Sequence, residues 1–236
     1  MNDELKYFIL AKKLNSRFSL QLSEAHFRGN NRGLTLVSHS VIKPQLGIPI
    51  LYDKNFTLER WNESMVEKHI LKLHQKSDPG RPTPEKRVQS ILIKAALNNN
   101  YILPFKNNKI TYITDEIKID KIADIIGVGE DSTLFIIELK SKRKKKELEN
   151  QLLEFEKIVN QNTPFFKELI LMVAGLNWNG KIEKMIVWPN ASTSPLNLGT
   201  NTWTPKEIIE VCYKYNDGTL TLIEYDNSGA EIVSSF

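Results

Sequence analysis

The sequence predicts an α/β fold in which a central mixed sheet is flanked by helices, with an additional region ahead of that core. Three observations carry the prediction. A helix-period run opens on Thr83-Pro84-Glu85, three strand-like runs follow at 109–113, 121–128 and 133–139, and an amphipathic helix over 144–161 leads to an apolar run at 168–174. Helix, three strands, helix, strand is the order of a sheet closed by a parallel crossover.

The chain has 236 residues, 41% hydrophobic and 25% charged, which is the composition of a folded globular protein. The break SDPGRPTP over 77–84 gathers Gly80 with Pro79, Pro82 and Pro84, a density of chain breakers that stops regular structure. It divides the chain into an N-terminal region, 1–80, and a core with a C-terminal sheet extension, 81–236. A net charge of +4 permits a polyanionic partner without requiring one. The lone Cys212 cannot form an internal disulfide, so a cytoplasmic location is expected. The N-terminus lacks the basic start and small-residue cleavage site of a secretory signal. No apolar run reaches about 18 residues, so no membrane span is expected. His26, His39, His69 and His74 have no zinc spacing, and neither a phosphate-cradling glycine loop nor a GxSxG elbow occurs. No nucleotide cofactor is expected.

Each element has a local reason. The N-terminal region begins with an apolar patch, then a loop HFRGNNRG over 26–33, the alternating GLTLVSHSV, and a helix from Leu58 to His74. Thr83 caps the next helix, with Pro84 and Glu85 in its favoured first turn. Val88, Ile91, Leu92, Ala95 and Ala96 repeat at helical spacing up to Asn98-Asn99-Asn100. The runs at 121–128 and 133–139 flank the turn GEDS and form a hairpin. Leu148, Leu152, Phe155 and Val159 share one helical face. ELILMVA, 168–174, reads as a buried strand beside TLFIIEL. Beyond it come MIVW at 185–188, a polar loop over 190–202, a helix capped by Thr204 with Pro205, and a last strand TLTLIEY at 219–225.

The chemistry lies in KIADIIGVGEDSTLFIIELKSKR, where Asp124 interrupts one apolar strand and Glu138 and Lys140 interrupt the next. Acids are depleted from strands and costly to bury unless paired or bound to a cation. Glu138 and Lys140 are two residues apart, so both leave the strand on one face. Asp124 stands as far before the turn as Glu138 stands after it, so the two carboxylates meet across the hairpin. Like charges so placed repel unless a cation separates them. Magnesium suits such a pair, and the Leu139 carbonyl could add an oxygen. Lys140 would then orient a water and stabilise charge on a phosphate.

Asp124 followed by Glu138-Leu139-Lys140 resembles the D and ExK elements of the PD-(D/E)xK nucleases, with Ala123 where many members carry proline. The likeness covers roughly 83–175, including the restriction-endonuclease-like αβββαβ order. It implies Mg2+-dependent hydrolysis of DNA phosphodiesters to 5′ phosphate and 3′ hydroxyl ends. Glu85 resembles the acidic residue that many members place on their first helix to hold metal through water. Gln151 resembles the glutamine of the RecB and NucS branch. Family habit and the unmatched N-terminal region further imply a Type II restriction endonuclease acting as a homodimer on double-stranded DNA. Two alternatives are a structure-specific repair or recombination nuclease, and a non-catalytic DNA-binding protein on a nuclease scaffold.

Two basic stretches are candidate DNA contacts. Lys142, Arg143, Lys144 and Lys145 stand at a helix start, where positive charge opposes the helix dipole and an external phosphate would relieve it. Arg28, Asn30, Asn31 and Arg32 carry the side chains that pair with guanine and adenine edges. A plain turn and a solvated charge run are the respective bland readings. Asp120, Glu130 and Asp131 read as solvated turn or strand-end acids.

Overall fold

Thr83 accepts the Lys86 amide at 3.3 Å and starts the helix Pro84–Asn98, which ends at Asn99 as its residue types require. The protein is described from a computed structural model covering residues 5–31, 33–50, 58–78, 82–119, 122–142, 145–190, 208–216, 218–225 and 229–236, the side chains of 145–148 excepted. In chain order the helices are α1 (Lys6–Arg17), α2 (Glu63–Gln75), α3 (Pro84–Asn98), α4 (Lys145–Gln161) and α5 (Thr163–Ala174). The strands are β1 (Ala25–Asn30), β2 (Gly33–Ser38), β3 (Gly47–Ile50), β4 (Ile110–Lys118), β5 (Ile122–Gly129), β6 (Leu134–Leu139), β7 (Ile182–Pro189), β8 (Ile208–Asn216), β9 (Thr219–Tyr225) and β10 (Glu231–Ser235).

Strands β4 to β10 form one seven-stranded mixed sheet in the order β10-β9-β8-β7-β6-β5-β4. Pairing is antiparallel from β4 to β6, parallel from β6 to β8, and antiparallel again to β10. One face packs on α3 through Val88, Leu92, Ile93 and Ala96. The other carries α4 and α5 through Leu152, Phe155, Phe166 and Ile170. The helix, three strands, helix order therefore holds, and two differences follow it.

The run 168–174 is helical, not a strand. Phe166, Leu169, Ile170 and Val173 are buried at three- and four-residue spacing, Pro164 sits in the first turn, and Gly175 closes α5 in the left-handed region at φ 73°. The apolar content of ELILMVA is equally suited to a buried strand, and the preceding TPFFK decides between them. The parallel partner of β6 is β7, which contains MIVW. The helix expected after Thr204 is also corrected. Thr204 and Pro205 lie outside the described residues, and Ile208–Asn216 is strand, because Ile208 and Cys212 pack on one side while Val211 and Tyr213 pack on the other. Strand β4 runs on to Lys118 rather than stopping at 113. Among the described residues no helix is long and apolar enough to cross a membrane.

Ahead of the core, β1, β2 and β3 form a separate antiparallel sheet packed on α1 and α2. HFRGNNRG is thus not a free loop: its first half is β1, and Asn30 faces Gly33 at the hairpin. The helix begun at Leu58 is a short 3-10 turn followed by α2, capped by Asn62. This region is bound to the main sheet through α1 and packed closely within itself. Leu5 and Phe8 belong to the core under α4 and α5. Gly29 lets α1 approach β1 so closely that a Cβ there would collide with the Tyr7 carbonyl and the Phe8 nitrogen.

Between β1 and β4 lies a buried charge network. Asp115 on β4 receives Arg28, the Tyr112 hydroxyl at 2.7 Å and His26 Nε2 at 3.1 Å, and His26 Nδ1 meets His39 Nε2 at 2.7 Å. Burial opposes the Asp115 charge, yet Arg28 and His26 hold its carboxyl well below the usual range. Burial pushes both imidazoles down.

Candidate active site

Strands β5 and β6 set the geometry. Ile125 pairs with Ile137, so one further step along the antiparallel register brings Asp124 opposite Glu138. Directly opposed residues share a face of the sheet. Ile137 and Leu139 pack on the α3 side, which leaves Glu138 for the other. Both acids are buried, Asp124 at 6% and Glu138 at 7% exposure, yet both line a cleft of about 470 Å³. Its walls include Lys86 from α3, Glu116 and Lys118 from β4, and Gln151 and Glu154 from α4.

Each carboxylate has defined partners. Asp124 Oδ2 accepts the Leu139 amide at 2.9 Å, and Oδ1 faces Lys86 Nζ at 3.4 Å. Glu138 Oε1 accepts Lys140 Nζ at 2.6 Å. Lys140 is further fixed by its backbone: its amide donates to Val187 at 3.0 Å and its carbonyl accepts the Tyr213 hydroxyl at 3.1 Å. The three residues read from the sequence therefore converge, and the two carboxylates line the cleft.

The electrostatics show a surplus of negative charge. Burial first, and the neighbouring Asp124 second, push the Glu138 carboxyl up to about 7, against the pull of Lys140. Asp124 is raised by burial despite Lys86 and the Leu139 amide. Glu85 is raised by burial and then by Asp124. Burial opposes the charge of Lys86 and Lys140, but nearby carboxylates override it and raise both. Five carboxyls (Glu85, Glu116, Asp124, Glu138, Glu154) share this corner with three ammoniums (Lys86, Lys118, Lys140), so full ionisation leaves two negative charges unbalanced. A hard divalent cation answers that imbalance, since magnesium accepts one or two carboxylates plus waters.

Not every predicted residue joins the pair. Among the described residues no group of three or more His, Cys, Asp or Glu side chains is placed to hold a metal ion; Glu85 acts on Asp124 and Glu138 through charge. At Leu139 the contact with Asp124 is made by the amide. Gln151 is exposed on the cleft wall. Lys142 is exposed beyond β6, whereas Arg143, Lys144 and the Lys145 side chain lie outside the described residues, as do Arg32 and Asp120.

Arg28 is corrected as a base-reading candidate. Its Nη2 contacts Asp115 and Gln45 inside the seam between the two sheets, and Nε is buried there. Asn30 accepts the Gly33 amide at 2.9 Å and shapes the hairpin turn, while Asn31 is exposed.

Glu116 and Lys86 are cleft residues that the sequence reading missed. The signal was the adjacent pair Asp115-Glu116 inside the alternating run ITYITDEIK. Glu116 has φ 49° within β4, a conformation costing a non-glycine residue about 1–3 kcal/mol.

No protein-family model matches the chain, and no curated protein matches it. Among solved structures it is similar to a chain of "Structure of EndoMS-dsDNA2 complex", at 15% identity and a TM-score of 0.24. The match covers 72% of this chain and 58% of that one, so this chain spans less than two thirds of its neighbour's length.

Proposed function

We propose that the chain is a DNA endonuclease that hydrolyses phosphodiester bonds with a magnesium ion held by Asp124 and Glu138. One observation carries this: two buried carboxylates opposed on neighbouring strands, with Lys140 at 2.6 Å from one of them, line an open cleft. A bound magnesium ion would supply Lewis acidity toward the phosphate and a more acidic water. The chain's own part is to place the groups around it. Lys140, anchored by Val187 and Tyr213, holds an ammonium where it can orient a water and meet charge developing on a phosphate oxygen. Gln151, on the cleft wall, would face a substrate that enters there. Lys142, with Arg143, Lys144 and Lys145 next to it in sequence, extends positive charge beyond β6 for the DNA backbone.

At finer grain the reading is a Type II restriction enzyme, cutting double-stranded DNA at a fixed sequence as a homodimer and leaving 5′ phosphate and 3′ hydroxyl ends. A second reading, a structure-specific repair or recombination nuclease, gains from Arg28 Nη2 being held by Asp115 and Asn30 Oδ1 by the Gly33 amide, bonds within the fold at two of the four residues assigned to base reading.

The test is to incubate the protein with plasmid and genomic DNA in magnesium and in calcium, then sequence the ends. Discrete products with one shared end sequence establish restriction. Cutting confined to branched or mismatched duplexes establishes the second reading. Binding without cutting in magnesium sinks the endonuclease assignment.

A further inference from the structure

Lys86 has no task in the nuclease reading, yet its ammonium sits in the cleft with three acceptors. It contacts Glu116 Oε1, meets Gln89 Oε1 at 2.9 Å, and lies 3.4 Å from Asp124 Oδ1. Gln89 is fully buried and ties this corner together, donating to Glu116 Oε1 at 3.2 Å and to the Asp124 carbonyl at 3.1 Å. Glu116 reaches this position from a left-handed backbone conformation near the C-terminal end of β4.

The arrangement separates the two oxygens of Asp124. Oδ2 is taken by the Leu139 amide, so Oδ1 is the oxygen left to face the cleft, and Lys86 is the cation in front of it. Lys86 is held more closely by Glu116 and Gln89 than by Asp124, so it can give up Asp124 and stay seated. Lys140 stands otherwise, at 2.6 Å from Glu138 with its backbone fixed on both sides.

We infer that Lys86 is the built-in counter-ion of Asp124, seated by Glu116 and Gln89, and that a divalent cation fills the site by taking Asp124 Oδ1 from it. Lys86 is a positioning residue in this scheme, and it sets the cation concentration at which the site loads. The inference rests on the metal-dependent reading above. Its particular content is that Lys86 competes with the cation.

Calcium titration of the full chain by calorimetry, near neutral pH and without DNA, tests this directly. Lys86→Met and Lys86→Gln should each bind calcium roughly tenfold or more tightly than the parent, because an opposite charge within about 4–6 Å lowers a carboxylate's affinity for a proton by about 1–3 logarithmic units and opposes a metal cation by the same Coulombic route. Lys86→Arg, which keeps the charge, should stay near the parent. Without calcium both neutral variants should melt at a lower temperature and regain the loss when calcium is added. A merely structural lysine would give the reverse, with calcium bound equally or more weakly in both, and that result overturns the inference. Asp124→Asn separates the two levels. If it abolishes calcium binding while the Lys86 variants fail to tighten it, the counter-ion role alone falls. If calcium binding survives Asp124→Asn, or the parent binds none, the metal reading falls and the inference with it.

Discussion

Lys140 Nζ donates to Glu138 Oε1 at 2.6 Å, from a residue two positions further along the same strand direction. The pair is possible because side chains alternate across a strand, so the spacing itself puts both on one side. Removing either member takes a charge from the cleft without touching the hydrophobic layers. Lys140→Met and Glu138→Ala should each lower plasmid cleavage by about 10²–10³, the loss typical of one preorganised stabilising group. Calcium-supported DNA binding should stay near the parent for Lys140→Met in a gel-shift assay. Full cleavage by either variant would remove this pair from the mechanism.

Stability should fall as pH rises through the window set by Glu138. Its carboxyl has an ordinary value of 4.5 and is pushed up to about 7 in the folded chain. Below the lower value both folded and unfolded chains hold the proton. Between the two the unfolded chain releases it and the folded chain keeps it, so the stabilising difference is lost as pH climbs toward the upper value. Thermal melts of the metal-free protein from about pH 4 to about pH 8 should show this decline, Glu138→Gln should flatten it, and added calcium should recover stability mainly at the alkaline end. An unchanged slope in Glu138→Gln would mean that another group governs it.

Arg28→Ala should act on folding, not recognition. It would leave Asp115 buried with Tyr112 and His26 only, and breaking a buried ion pair from one side costs about 3–5 kcal/mol. Urea unfolding should report a loss of that order, whereas DNA affinity measured well below the melting temperature should hold. Normal stability with altered site preference would restore Arg28 as a base reader.

Gly29→Ala tests how α1 is seated. The added methyl meets backbone atoms of Tyr7 and Phe8, not a flexible side-chain tip, so relief requires the helix to move, at about 1–3 kcal/mol. A melting temperature equal to the parent's would show that α1 has slack.

Much of the core was legible because its signals are local. Thr83-Pro84-Glu85 marks a helix start by capping alone, and the hairpin turn of β5 and β6 fixes which residues oppose each other, so Asp124, Glu138 and Lys140 could be grouped from spacing. ELILMVA was misread because an apolar run of that length fits a buried strand or a helix equally, and the deciding context lay in Pro164 and Gly175 at its borders. IIEVCYKYN was misread for a related reason: Thr204-Pro205 imitates a helix start, while alternate burial is a property of the sheet it joins. Arg28 could not be placed at all, since its partner Asp115 is 87 residues away. Lys86 and Glu116 were hidden likewise, as their meeting depends on how α3 lies against β4.

Asp115 and Glu116 are neighbours in the chain but look in opposite directions, one into the seam with β1 and the other toward the cleft. A pull on the N-terminal sheet strong enough to part β1 from β4 would have to strip an ionised aspartate of its arginine, and the very next peptide carries the glutamate that steadies Lys86. The short sheet is therefore coupled to the cleft through two neighbouring residues of β4, beside the contacts that Gln45 and Glu24 make with α3.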